Sequence, residues 1–240
     1  NLSNLDLSFS DLLGANFTNA NISNVDFSGS NLSGVVFTGA YIENSNFSNS
    51  TIYGAKFIGA YVENTFFNNS KINSASFLGS KIDYGSFNHV FIENTDFSGS
   101  LITNVDLSNQ NFSNNLFQNT ILFSADLSNT DFSGSDFSYA YLNSADLSNS
   151  ILTDSNFFMT DFGSADLSNT NLIGANLLKS YFKNTILDGA IIDSTTLTDS
   201  CFENDVVNKI QCSLIRYTLP GMPPYDTTYD QRDNYKINYP

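Results

Sequence analysis

Carboxylates are the side chains of this 240-residue chain best suited to chemistry. Asp106, Asp126, Asp146 and Asp166 recur at one constant interval, and Glu43, Glu63 and Asp83 recur at the same one. Paired acids cleave glycosidic bonds when they flank a cleft, and stacked carboxylates can collect Ca²⁺. The single histidine, His89, lacks the Cys and His cluster that zinc requires. Cys201 and Cys212 have no base partner for a Cys–His nucleophile. No glycine-rich phosphate loop is present. What the acids do therefore depends on the elements that space them so evenly.

Those elements are repeats of five. Every fifth residue from Leu2 to Phe202 is Leu, Ile, Phe or Val, at all 41 positions. Two residues before each of these, from Leu5 to Ser200, 37 of 40 positions hold Ala, Ser, Thr, Val or Gly. The exceptions are Leu5, Gln110 and Asn115. A period of five is neither the 3.6 of a helix nor the 2 of an open strand. In extended chain, residues two apart share a face, so the small and the large residue both point inward before the chain turns. Such coils stack into a solenoid, in which each repeat buries its apolar face against its neighbours.

Four fives make one coil. Residues one circuit apart then lie above one another, and Phe17, Phe37, Phe57, Phe77, Phe97, Phe117, Phe137 and Phe157 form one column. Ile22, Ile42, Val62, Ile82 and Ile102 form another. Three fives per coil would mix Phe with Ile in every column between residues 22 and 102. "SADLSN" at 124, 144 and 164 is one side of a coil seen three times, and "GAYIEN" and "GAYVEN" repeat at the same interval.

"ADLSN", "ANFTN" and "GANLL" resemble the A-(D/N)-(L/F)-x-x motif of the pentapeptide-repeat protein family, over roughly residues 1–204. The resemblance implies an all-β fold, a right-handed quadrilateral parallel β-helix. The right hand also follows from the general preference of parallel crossovers. At roughly 4.8 Å per coil, about ten coils give a rod on the order of 48 Å long. No proline precedes Pro220, as expected where nearly every amide joins a ladder. A straight solenoid wall offers no cleft, so the Asp ladder at the motif's Asp/Asn place reads first as structural and second as a Ca²⁺ ladder. No catalytic residue, cofactor or metal is assigned, and His89 reads as a solvated outward residue.

Three features lie outside the strict pattern. Gln110 and Asn115 put amides at consecutive corners, where they either bond corner carbonyls or stack, or else mark a bulge or bend; the Phe/Ile alternation stops there too. Residues 205–216 have helical apolar spacing at Val206, Val207, Ile210, Leu214 and Ile215, with Asn204 or Asp205 as N-cap. They read as a capping helix, near which Cys201 and Cys212 either pair or stay as free thiols. Residues 217–240 hold all four prolines and read as an extended tail that docks on a neighbour or on its own rod. At the other end Asn1 and Leu2 are already in register, so the first rung reads as uncapped. The missing initiator Met fits a processed chain or a trimmed one.

The net charge of −15 argues against nucleic acid or an anionic membrane as a direct ligand, and no apolar run approaches the roughly 20 residues of a membrane span. Asn, Ser and Thr dominate the walls, with ladders such as Ser108, Ser128, Ser148 and Ser168. The Asn-x-Ser/Thr triplets at Asn16, Asn21 and Asn31 follow from that composition and do not establish secretion. The reading is a non-enzymatic structural rod that associates with itself end to end or through its tail, in an extracellular or surface-exposed setting, with a cytoplasmic one left open. The alternative is a DNA mimic that binds gyrase, since some members of the family act so. Residues 1–203 carry a net of −15, against about 28 charges on an equal length of duplex.

Overall fold

The structure, a computed structural model, describes residues 1–192. The tail of 217–240, the helix of 205–216, both cysteines and the last part of the 1–204 repeat region lie outside the described residues. Within them the chain pairs in parallel with itself at a constant separation of four fives, from Leu2↔Ile22 to Asn171↔Ile191. Four fives per circuit is therefore the geometry, and the fold is a parallel β-helix with four walls. The walls are centred on the inward residues that follow Leu2, Leu7, Leu12 and Phe17.

Eight short strands stand out: β1 Leu2–Ser3, β2 Asn21–Ser23, β3 Tyr41–Glu43, β4 Tyr61–Glu63, β5 Lys71–Asn73, β6 Lys81–Asp83, β7 Phe91–Glu93 and β8 Leu101–Thr103. The first wall carries β1-β2-β3-β4-β6-β8 in that order, and the third wall carries β5-β7. Seven of the eight centre on Ile or Val. β-Branched side chains hold the backbone extended, and no hydrogen bond closes the turn after Ile22, Ile42, Val62, Ile72, Ile82, Ile92 or Ile102. Most unbranched centres turn more tightly, and among the Ile centres Ile52 does so too, with Ala55 N–H on its C=O at 3.5 Å. Ala15 N–H bonds Leu12 C=O at 2.9 Å, and Ala40 bonds Phe37 at 2.9 Å.

Each five ends in a left-handed residue. All 38 such positions from Asn4 to Gly189 have φ between +47° and +74°. Sixteen are Asn and eleven are Gly, the types that visit this region at least cost. At many corners before an inward residue a Ser or Thr hydroxyl closes the gap, although Ser80 and Ser100 hold buried hydroxyls without a partner. Thr95 Oγ1 donates to Ile72 C=O at 2.6 Å and Thr160 Oγ1 to Phe137 C=O at 2.7 Å. The bond ties one coil to the coil before it and leaves the buried oxygen satisfied.

The core is a set of vertical columns. Phe57 stacks on Phe37 at 4.8 Å and on Phe77 at 4.6 Å, ring to ring. The second-wall column of Phe27, Phe47, Phe67 and Phe87 meets the fourth-wall column edge to face, at about 6 Å from Phe27–Phe37 to Phe67–Phe77. Above Phe87 the pattern changes walls. Leu107 follows Phe87 on the second wall, while Phe112 follows Ile92 on the third. A bulky column and a slim one trade places between two consecutive coils.

Candidate functional site

The acid ladders are in register. Asp106 pairs with Asp126, Asp126 with Asp146 and Asp146 with Asp166. Each carboxylate also has a local task. Its Oδ1 accepts the amide of the serine two residues on, at 2.9, 3.1, 2.8 and 2.8 Å for Ser108, Ser128, Ser148 and Ser168. These are Asx turns, which satisfy an amide that the turn leaves without a ladder partner. That structural role is why Asp or Asn recurs at this place. Among the described residues, no group of three or more His, Cys, Asp or Glu is gathered as a metal site. No helix among them is long and apolar enough to cross a membrane.

The coils part at one place, contrary to the expectation of walls without a cleft. A crevice of about 110 Å³ lies between Val90, Phe91, Ile92 and Glu93 on one coil and Asn111 and Ser113 on the next. Pairing holds at Ser86↔Asp106 and again at Asp96↔Leu116, but between these points Phe91 and Asn111 do not pair with each other. The cause is the two corner amides. Gln110 accepts His89 N–H at 2.9 Å through Oε1 and donates to Ser108 C=O at 3.0 Å through Nε2. The carboxamide is thus inserted into the ladder bond that would join His89 to Ser108. Asn115 accepts the Thr95 amide at 2.7 Å and donates to Ser113 C=O at 3.1 Å, engaging the carbonyl that Asn94 would use. Bonding to corner carbonyls was one expected alternative and a local distortion the other; here the first produces the second. His89 is exposed, as read from the sequence.

The first wall carries a different cluster. Tyr41 and Tyr61 stack at 5.7 Å, with planes 20° apart. Lys81 continues the column, its Nζ 4.9 Å above the Tyr61 ring centre and 3.4 Å from Asp83 Oδ2. Asp83 also accepts from Thr103 at 2.9 Å and Asn104 at 2.8 Å. Beside the rings Glu43 sits in register with Glu63, and Glu63 with Asp83. Tyr41 donates its hydroxyl to Glu63 at 3.4 Å. Partial burial raises the pKa of that hydroxyl, and the charges of Glu63 and Glu43 raise it further.

The pentapeptide-repeat family model matches in eight copies, over residues 1–39, 30–69, 100–138, 117–154, 130–169 and 165–204. The chain belongs to the pentapeptide-repeat family. Among solved structures it is similar to QnrB1, a plasmid-mediated fluoroquinolone resistance protein, at 21% identity and a TM-score of 0.50, over 80% of this chain and 89% of that one. It is also similar to HetL, involved in heterocyst differentiation regulation in the cyanobacterium Nostoc, at 21% identity and a TM-score of 0.41, over 83% and 88%. No curated protein matches. At these identities the likeness is one of fold.

The pentapeptide-repeat motif governs the inward and corner positions and the Asp/Asn place, and leaves the other outward positions free, so a site in this fold is written mainly in those. Asp161 stands at the Asp/Asn place and is made unusual by its burial. It accepts the Gly163 amide at 2.9 Å and a bond from Asn143. Burial nevertheless lifts its carboxyl above the ordinary 3.8, outweighing both bonds. The folded chain then holds this proton to higher pH than the unfolded chain does. Its contribution is present in acid and is lost as pH rises through the window above 3.8. Relative to the Asp161→Asn variant, the wild-type urea midpoint is expected to fall as pH rises through the window above 3.8; parallel profiles would contradict this.

Proposed function

We propose that this pentapeptide-repeat chain is a non-enzymatic rod that assembles with further copies of itself, circuit upon circuit. One observation carries the reading. The rungs pair in parallel at one separation, from Leu2↔Ile22 to Asn171↔Ile191, over an apolar interior in which Ile22, Phe27, Leu32 and Phe37 are 0% exposed. Such a rung presents the register and the apolar interior that a rung of a further copy needs. An extracellular or surface-exposed setting suits its neutral, hydrogen-bonding walls.

For the 240-residue chain, light scattering over a concentration series is expected to show assembly. Leu12→Lys places an ammonium inside the first described rung and should raise the concentration needed by about tenfold. A strict monomer at high concentration would overturn the proposal. DNA mimicry has less support. The Asp106–Asp166 column places one carboxylate per rung of roughly 4.8 Å, against one charge per roughly 1.7 Å on duplex DNA.

A further inference from the structure

We propose that the first wall over β3, β4 and β6 is a docking surface for arginine side chains of a partner polypeptide. Three strands present the same layout, with an outward residue on one side of the inward centre and an acid on the other: Tyr41 and Glu43, Tyr61 and Glu63, Lys81 and Asp83. On the third strand the wall supplies its own cation. Lys81 lies over the Tyr61 ring at 4.9 Å and against Asp83 at 3.4 Å. The two earlier strands offer carboxylates with no cation against either acid among the described residues, and with Tyr61 lying between Tyr41 and Lys81 the ring left open for stacking is Tyr41. Glu43 and Glu63 lie one rung apart in register, so each destabilises the other until a positive group comes between or beside them.

The wall is also open to a partner. Tyr41 and Tyr61 are 39% and 42% exposed. A guanidinium is planar, stacks on an aromatic face and reaches carboxylates with paired N–H donors. The Tyr41 ring and the Glu column offer both kinds of contact side by side, with Tyr41 and Glu43 two positions apart on β3. An ammonium makes only the point-charge part of that contact, and Lys81 already occupies the place where a point charge suffices. The proposal rests on the first wall alone and is independent of assembly through the first circuit.

An end-capped octapeptide of alternating Gly and Arg is the probe, titrated into the full chain while ¹³C-labelled tyrosine ring signals are followed. The expected result is a shift of the Tyr41 and Tyr61 rings with saturation. The Glu43→Gln/Glu63→Gln double variant should bind about tenfold more weakly. A citrulline peptide, isosteric but neutral, should lose at least as much, and a lysine peptide should fall between. Glu93→Gln, on the third wall, should leave affinity unchanged. The proposal is overturned if those ring signals stay still at millimolar peptide, if the double variant binds as the wild type does, or if the lysine or citrulline peptide equals the arginine one.

Discussion

Phe57→Ala is expected to lower the stability of the solenoid by about 3–5 kcal/mol. Phe57 is 0% exposed and touches four other rings. It stacks on Phe37 at 4.8 Å and Phe77 at 4.6 Å, and meets Phe47 and Phe67 edge to face, at 6.0 Å each. Each such pair adds about 0.5–1.5 kcal/mol beyond the area it buries. The cavity left behind would not close easily. Backbone ladders hold the rungs above and below at fixed spacing, with Phe57 N–H on Ser76 C=O at 2.6 Å and Phe37 N–H on Lys56 C=O at 2.7 Å. Phe17→Ala is the contrast. Its ring is half-buried and stacks on one partner in its column, Phe37, at 5.3 Å, so about half the cost is expected. Guanidinium titrations of both variants check this. Because coils stabilise only their neighbours, amide exchange in Phe57→Ala should rise around residues 37–77 before it rises at the ends. A loss below about 1 kcal/mol at Phe57 would mean that the rungs do relax.

The columns were legible because a solenoid writes its contacts at a fixed interval. Phe37, Phe57 and Phe77 needed only counting to be placed in one stack. The Asp/Asn preference was visible too, though its cause was not. Asp126 recurs at its place because the amide of Ser128 needs an acceptor, and that need belongs to the turn rather than to any pattern of hydrophobicity. The split between strand and tight turn was written in the choice of Ile22 over Phe27, since β-branching disfavours the closing turn. "GAYIEN" and "GAYVEN" showed Tyr and Glu one circuit apart, but not that Lys81 would complete the column over Tyr61. The crevice was the least legible feature. Gln110 stood out as oversized for a corner, yet only the geometry shows its amide standing between His89 and Ser108.

That carboxamide makes the second large effect testable. The amides of Ile92, Asn94 and Asn111 donate no hydrogen bond among the described residues, whereas equivalent amides on other coils do, such as Leu32 to Thr51 at 2.7 Å and Asn114 to Ser133 at 2.9 Å. Amide exchange at these three positions is expected to be roughly 10–100-fold faster than at Leu32, Phe112 and Asn114. The crevice has two separable causes. Gln110→Ser should free the Ser108 carbonyl and restore the bond from His89. Asn115→Ser should do the same for Ser113 and Asn94, because Ser135 at the same corner one coil on accepts the Asn115 amide without occupying a wall carbonyl. Each restored ladder bond contributes about 0.5–1.5 kcal/mol, and the double variant gives three amides a partner while His89 exchanges one acceptor for another, so it should gain about 1.5–4.5 kcal/mol and slow exchange at Asn94 about tenfold. Ile92 and Asn111 should respond only to the double variant, because each single variant leaves one end of the rung propped open. Unchanged exchange in the double variant would shift the cause to the columns, where Phe112 stands above Ile92 and the wider ring alone would hold the two coils apart.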